Sequence, residues 1–192
     1  MSEDKIKFDV FIKGELIDLV VLTENIVEKT NWYNWFNDEE NTIHMQKHYF
    51  PNTRALQLKY FKNEIENSNT KLQLGIVQKK KDSLCGVISL NDINYFNRCC
   101  EISAIIGEKS SRTFQYFPEA VKLTCKHAFE TLNMNRIYSG TISKEIDELM
   151  CRTLDFVHEG ISRKAVYKNG EYHDIYHHAM TIQDYGVNDE KV

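Results

Sequence analysis

The chain of 192 residues carries 24 Lys and Arg against 28 Asp and Glu, a formal net charge of −4, and 42% of it is apolar with 11% aromatic. That balance suits one globular domain with a sizeable core, and Lys79-Lys80-Lys81 as the only short basic cluster is not the electrostatic footprint of a nucleic-acid binder. No apolar run approaches the roughly 20 residues of a membrane span and MSEDKIKFDV is not a secretory signal, so a cytoplasmic protein without a membrane partner is expected, its five cysteines reduced.

In chain order, Phe8 to Ile12 and Leu16 to Leu22 flank Lys13-Gly14-Glu15 and read as a two-stranded hairpin. Thr23-Glu24-Asn25 caps a helical segment on which Trp32, Trp35 and Phe36, spaced i, i+3 and i+4, share one face. Core packing is the simpler role for that face, because Asn31, Asn34 and Asn37 interrupt the aromatics as a solvated side would. A turn over 37–41 leads into His44 to Thr53, and Asn52-Thr53 caps a helix from about Arg54 to Asn67, with Leu56, Tyr60, Phe61, Glu64 and Ile65 in helical period. Leu72 to Gln78 and Leu84 to Asp92 are strands around a charged turn, and Asn94 to Arg98 turns the chain into a strand from Cys99 to Gly107.

The stretch from Cys99 to Leu132 reads as strand, polar connection and amphipathic helix. Its connection, Lys109 to Phe117, delivers free backbone N–H groups at a helix start, which suits an anion; Arg112 and Lys109 add positive charge, and Pro118 sacrifices only an N–H that would be unpaired anyway. On the strand, Glu101 shares a face with Ser103 and Ile105, opposite Ile102, Ala104 and Ile106, so its carboxylate can point into a cleft; pairing with Arg98 is the competing role. Asn135 to Thr141 should be a parallel neighbour of the Glu101 strand, since strand–helix–strand requires a crossover. Ser143 caps a helix from Lys144 to about Leu154, and Phe156 to Glu159, Ala165 to Lys168 and Tyr172 to Ile182 close the sheet around an Asn169-Gly170 turn, before a loose tail over 186–192. On a strand, His173 and His177 lie about 13 Å apart, so one metal cannot join them and none is expected.

Arg112-Thr113-Phe114-Gln115-Tyr116-Phe117 resembles the Arg/Gln-x-x-Gly-x-Gly/Ala signature of the GCN5-related N-acetyltransferase (GNAT) superfamily, with Arg112 kept and both glycines lost. Gly86-Val87-Ile88-Ser89-Leu90 resembles its central strand. Asn34 to Glu40, Tyr49 to Thr53 and Lys168 to Asp174 resemble segments of its branch acting on ribosomal-protein N-termini and nucleotide-linked amino sugars, so the resemblance runs from Phe8 to Ile182. It implies an α/β fold: a single GNAT-like domain over 1–192, core about 8–182, with a twisted, mixed, mostly antiparallel sheet flanked by helices and splayed at the central parallel strand pair.

The same resemblance implies acetyl-coenzyme A as acyl donor, held by Ile105, Ile106, Gly107 and the stretch Arg112, Thr113, Phe114, Gln115, Tyr116 and Phe117. Glu101 takes the position of the family's base. The position of the family's proton-donating Tyr is Cys151, a thiol whose ordinary pKa near 8.5 would let it protonate a thiolate; burial as a small apolar residue is its competing role. Trp35, His44, His48, Tyr49 and His173 would border the acceptor, with exposed loop positions as the alternative for the loop residues. The implied activity is acetylation of a primary amine, preferably of a small molecule such as a nucleotide-linked amino sugar. A protein N-terminus is the alternative acceptor, and a non-catalytic GNAT-like module that has lost coenzyme A is the rival class. A homodimer is an expectation that no residue fixes.

Overall fold

Successive side chains of the central strands point to opposite faces and both faces of the sheet are buried, so these strands read as near-continuous buried runs such as Leu84 to Leu90. The structure, a computed structural model, describes residues 6–45, 49–113 and 115–186. It is a single α/β domain whose sheet has the order β1-β2-β3-β4-β5-β6-β8-β7. The strands are β1 (Val10–Lys13), β2 (Ile17–Val21), β3 (Leu72–Gln78), β4 (Ser83–Asn94), β5 (Cys99–Ile106), β6 (Arg136–Thr141), β7 (Val157–Lys168) and β8 (Glu171–Thr181). Every neighbouring pair is antiparallel except β5 and β6, which are parallel as a crossover requires.

One face packs on α5 (Tyr116–Lys126), the crossover helix, and on α6 (Lys144–Thr153). Leu74, Ile88, Cys100 and Ile102 point to that side, against Ala120, Val121 and Met150. The opposite face carries Val20, Val77, Val87 and Ile105 and packs on α1 (Glu24–Lys29), α2 (Trp32–Trp35), which the short α3 (Glu39–Thr42) follows, and the segment that continues α4 (Arg54–Tyr60) through Phe61. Among the described residues no helix is long and apolar enough to cross a membrane.

Polar side chains fix the helices to this frame. Thr23, Thr53 and Ser143 each accept a hydrogen bond from the third following backbone N–H, so the expected caps of α1, α4 and α6 form. Arg54 donates to the carbonyls of Val27 (3.0 Å), Glu28 and Thr30 (2.9 Å), closing the otherwise open end of α1. Glu119, in the first turn of α5, accepts from the N–H groups of Glu15 and Leu16 and ties the crossover helix to the β1–β2 turn.

The C-terminal elements depart from the sequence reading. Two short strands were expected, Phe156 to Glu159 and Ala165 to Lys168, yet β7 is one strand, because irregularities between His158 and Gly160 and between Ser162 and Val166 absorb the positive φ of Gly160 and Lys164 without ending the pairing. Ile182 opens a short helix, α7 (Ile182–Gly186), and the rest of the expected tail lies outside the described residues.

Gly107 ends β5 beneath the buried indole of Trp35, and a Cβ there would collide with the ring. Gly107→Ala is therefore expected to destabilise the fold by about 1–3 kcal/mol, as overpacking does, read as a lower denaturation midpoint at unchanged m-value.

Candidate active site

The parallel pairing of β5 with β6 lasts only three couples, Cys99 with Arg136, Cys100 with Ile137 and Glu101 with Tyr138. Beyond that point β4 still follows β5 to Ile106 and β8 still follows β6 to Thr141, so the two halves of the sheet diverge and leave a wedge. From Ile102 onward the β6-facing backbone of β5 has no strand partner among the described residues. A cavity of about 1340 Å³ occupies the wedge and continues to the face covered by α2 and α4.

Three walls of this cavity differ in chemistry. The wedge wall is apolar, with Ile106, Phe117, Val121, Ile146 and Met150. At its mouth lie Arg112 and Thr113. Gln115 provides no side-chain cap for α5, the first-turn N–H groups of Tyr116 and Phe117 have no side-chain partner among the described residues, and Pro118 has no N–H to leave unpaired. Arg112 donates to Asn41 Oδ1, and Asn41 Nδ2 in turn donates to the carbonyls of Trp35 (3.1 Å) and Gly107 (3.1 Å). Lys109 is engaged instead by Asp38 (2.9 Å) and Glu40, which leaves Arg112 as the cation at the mouth.

Towards α2 and α4 the wall is polar and carries unused hydrogen-bonding atoms. Gln57 is 3% exposed; its Oε1 accepts from Asn52 Nδ2 (2.8 Å) while its Nε2 has no partner among the described residues. Trp32, fully buried, leaves Nε1 in the same condition, and Gln73 does so with Oε1 while donating Nε2 to Ser89 Oγ (2.7 Å). Lys71 lines this end, over the Tyr60 ring. Glu101 stands where the polar wall meets the wedge, in the last β5–β6 couple. Its neighbour across that couple, Tyr138, has its phenol pushed up first by burial and then by the Glu101 charge.

Several expected site residues thus share one cavity: Glu101, Ile105, Ile106, Arg112, Thr113, Phe117, His44 and Tyr49 line it. Gln115 and Tyr116 stand at the start of α5, with Tyr116 packed on the core. Gly107 and Trp35 pack on each other behind the wall. Cys151 is half-buried on α6 and does not line the cavity, the cavity side of that helix being Ile146 and Met150; burial pushes its thiol up. His173 donates Nε2–H to the Lys168 carbonyl (3.2 Å) on the outer hairpin and is also off the cavity. His48 and Phe114 lie outside the described residues. Among the described residues no group of three or more His, Cys, Asp and Glu could hold a metal ion.

Sequence reasoning missed Trp32, Gln57, Asn41 and a buried pair beside the wedge, His178 and Asp147. His178 lines the cavity from β8 at 1% exposure, and its Nδ1 lies 2.8 Å from Asp147 Oδ1 on α6. The second oxygen of Asp147 meets His158 Nδ1 at 2.8 Å. The signal for Gln57 was a polar residue on the inner side of an amphipathic helix; for His178, its alternation with Tyr176 and Met180 along β8.

An acetyltransferase (GNAT) domain model matches residues 22–146 of the chain. A Bacillus subtilis (strain 168) protein that carries the name ribosomal N-acetyltransferase YdaF is 29% identical over 104 residues, which cover 54% of the chain and 56% of that relative, little more than half of either. The spermidine N-acetyltransferase of Vibrio cholerae, solved with CoA and spermine, superposes with a TM-score of 0.79 at 17% identity, covering 88% of this chain and 98% of its own. A dodecameric structure of that Vibrio enzyme in an intermediate state gives 0.72 at 18% identity, covering 88% of this chain and 96% of its own. At these identities the likeness to the solved structures is one of fold.

Burial lowers the His178 pKa below its ordinary 6.5, outweighing the opposing pull of Asp147. The unfolded chain therefore takes up that proton more readily than the folded protein. The stability that neutral His178 preserves is present above about 6.5 and is lost as pH falls through the lower folded value. We expect the melting temperature to fall between pH 7.5 and 5.5, and to fall less in His178→Gln. Because His127 is lowered in the same direction, the difference between wild type and variant is the quantity to measure; an equal drop in both would contradict the assignment.

Proposed function

The chain belongs to the acetyltransferase (GNAT) domain family, and from that premise we propose that it transfers the acetyl group of acetyl-coenzyme A to the primary amine of a small, oxygen-rich acceptor, for which a nucleotide-linked amino sugar is the model. The observation that carries this reading is a single cavity with a carboxylate, Glu101, between an apolar wedge and a polar wall that includes Lys71, Gln73, Ser89 and Asn91.

The residues present fit the acyl donor. Uncapped N–H groups at the start of α5 and the Arg112 guanidinium supply positive charge for a pyrophosphate, and the apolar wedge suits an alkyl-amide arm. When bound, the donor supplies an activated thioester. Unpaired β5 backbone past Glu101 would hold its carbonyl and stabilise the developing oxyanion, and losing such a donor typically costs about 3–4 kcal/mol.

An alkylamine has a pKa near 10 and reaches the site protonated, so it must lose a proton before it can attack. Glu101, directly or through water, is the group positioned to receive that first proton. Lys71, Gln73 and Ser89 on that wall, backed by Trp32 and Gln57, offer donors and charge to hydroxyl, carbonyl or phosphate oxygens of the acceptor. A chain of methylenes and ammonium groups, as in spermidine, would leave those donors unused. A protein N-terminus is the second reading, supported by the name of the Bacillus subtilis relative.

Three measurements test the proposal. Acetyl-coenzyme A should bind in calorimetry, and Arg112→Ala should weaken it; no binding at millimolar concentration by folded protein would make the non-catalytic module the better reading. In a panel of a nucleotide-linked amino sugar, a peptide with a free N-terminus and spermidine, the amino sugar should give the highest kcat/KM. With the preferred amine, Glu101→Gln should lower kcat about 100- to 10,000-fold at neutral pH and recover part of it in alkali, whereas Gln57→Leu should raise KM with kcat little changed.

A further inference from the structure

Acetylation of an ammonium group releases two protons from nitrogen before the amide is formed. The first leaves to make the amine nucleophilic. The second is still on nitrogen after attack, and one proton must reach the departing sulfur. Glu101 is placed for the first, on the face of the sheet that carries Ile105 and packs on α1 and α2. Sulfur, at the end of an arm lying in the wedge, needs a donor on the α5–α6 side. Cys151, at the position where the sequence pattern put that donor, does not line the cavity.

His178 occupies the required place. The last β5–β6 couple is Glu101 with Tyr138, and the next β6 residue, Ser139, is paired with His178 on β8. Side chains alternate along a strand, so His178 emerges on the face opposite Glu101, one residue past the apex where the sheet opens. Both nevertheless line the same cavity, because the wedge perforates the sheet at that level. Asp147 engages Nδ1 at 2.8 Å, and Nε2 makes no hydrogen bond among the described residues. An Nδ1–H donated to the carboxylate fixes the tautomer with the Nε2 lone pair available. Phe156, edge-on at 5.5 Å, restricts the ring further.

Resting on the acetyltransferase reading above, we infer that His178 is a catalytic residue that takes the second amine proton on Nε2 and returns it to the leaving sulfur, with Asp147 as its positioning residue. As the amine nitrogen bonds to the thioester carbon, the carbonyl π pair moves to oxygen. The nitrogen's remaining surplus proton passes to Nε2, giving an imidazolium faced by the Asp147 carboxylate. The oxyanion pair then re-forms the carbonyl, the C–S bond breaks with its electrons on sulfur, and Nε2–H protonates that sulfur. Amide and free thiol are formed and His178 is neutral again.

The groups that set its charge are named by its surroundings. Asp147 lies on α6 with Cys151 on the same helix; His158 is in register on β7, beside Glu159, which is paired with Arg136 of β6; His177 precedes it on β8 and is held by Ser162; Glu101 faces the cavity across the wedge. Burial keeps the resting ring neutral, as a proton acceptor must be.

The test begins with coenzyme A alone. Calorimetry first establishes that it binds the wild-type protein; failure there overturns the acetyltransferase reading itself. With ¹⁵N-histidine-labelled protein, the His178 Nε2 resonance should then move on adding coenzyme A and stay close to its free position with desulfo-coenzyme A, which binds by the same groups but has no sulfur. Equal responses to both would overturn the role of His178 while leaving the acetyltransferase reading intact. Kinetics supply the second arm, with the best amine of the panel: His178→Gln should lower kcat about 100- to 1,000-fold at an unchanged dissociation constant for acetyl-coenzyme A. Retention of kcat within about threefold would also overturn it, and if that variant does not fold, the resonance experiment decides. Asp147→Asn should lower kcat less and shift the acidic limb of its pH profile, which a merely structural carboxylate would not do.

Discussion

The constraint on which the molecule depends is the short life of one strand pairing. β5 and β6 are parallel because α5 crosses between them, and they part after Glu101 meets Tyr138. Had they stayed paired, Ile102 to Ile106 would be ordinary sheet interior and the cavity would close. Both halves continue with full pairing on their outer sides, so the gap is held open by two rigid ladders rather than by a loop. An opening of this kind gives access to both faces of the sheet at one level. That is why a carboxylate on one face and an imidazole on the other line one cavity.

The mouth of the wedge shows how a strand can pass into the crossover helix without the glycines of the familiar pattern. Among the described residues from Gly107 to Phe117 none has a positive φ, because the chain first makes a tight 3₁₀ turn at Lys109–Ser111 and then enters α5 from the right-handed region at Gln115. A glycine is needed where φ is positive or where a Cβ blocks the approach, and this path avoids the first requirement. Support comes from outside the turn, through Arg112 on Asn41 and Asn41 on the Trp35 and Gly107 carbonyls. The one glycine whose smallness is demanded here is Gly107, under the Trp35 ring.

The fold was legible because it rests on period-two alternation, caps and one crossover, all local to the sequence. Glu101 was legible for the same reason: its face follows from its neighbours on the strand. Cys151 was drawn from a pattern position, but a helix position fixes only a height and an angle, and the angle puts Ile146 and Met150 on the cavity instead. His178 was hidden because what makes it distinctive, the carboxylate of Asp147, comes from 31 residues earlier and another element. Gln57 was hidden because its orientation depends on Asn52, which Asn37 grips in turn by a reciprocal pair of bonds at 2.6 and 2.7 Å. Contacts that join two loops to a helix leave no period in the sequence.

Five buried side-chain atoms lack a partner among the described residues, and three of them, on Trp32, Gln57 and Gln73, belong to residues lining one end of the cavity. Each such atom costs about 1–3 kcal/mol relative to a satisfied one, a large fraction of the stability of a domain this size. A core selected for stability alone would hold an apolar residue at Gln57, since the neighbouring Phe61 is already buried. The network instead spends Asn37 and Asn52 on holding the Gln57 amide in one orientation, with its oxygen satisfied and its nitrogen left over. Orientation of an unsatisfied donor has no value to the free protein. Those atoms lie behind the cavity surface, so a shift of the Gln57 or Trp32 side chain is what would bring them to a bound molecule.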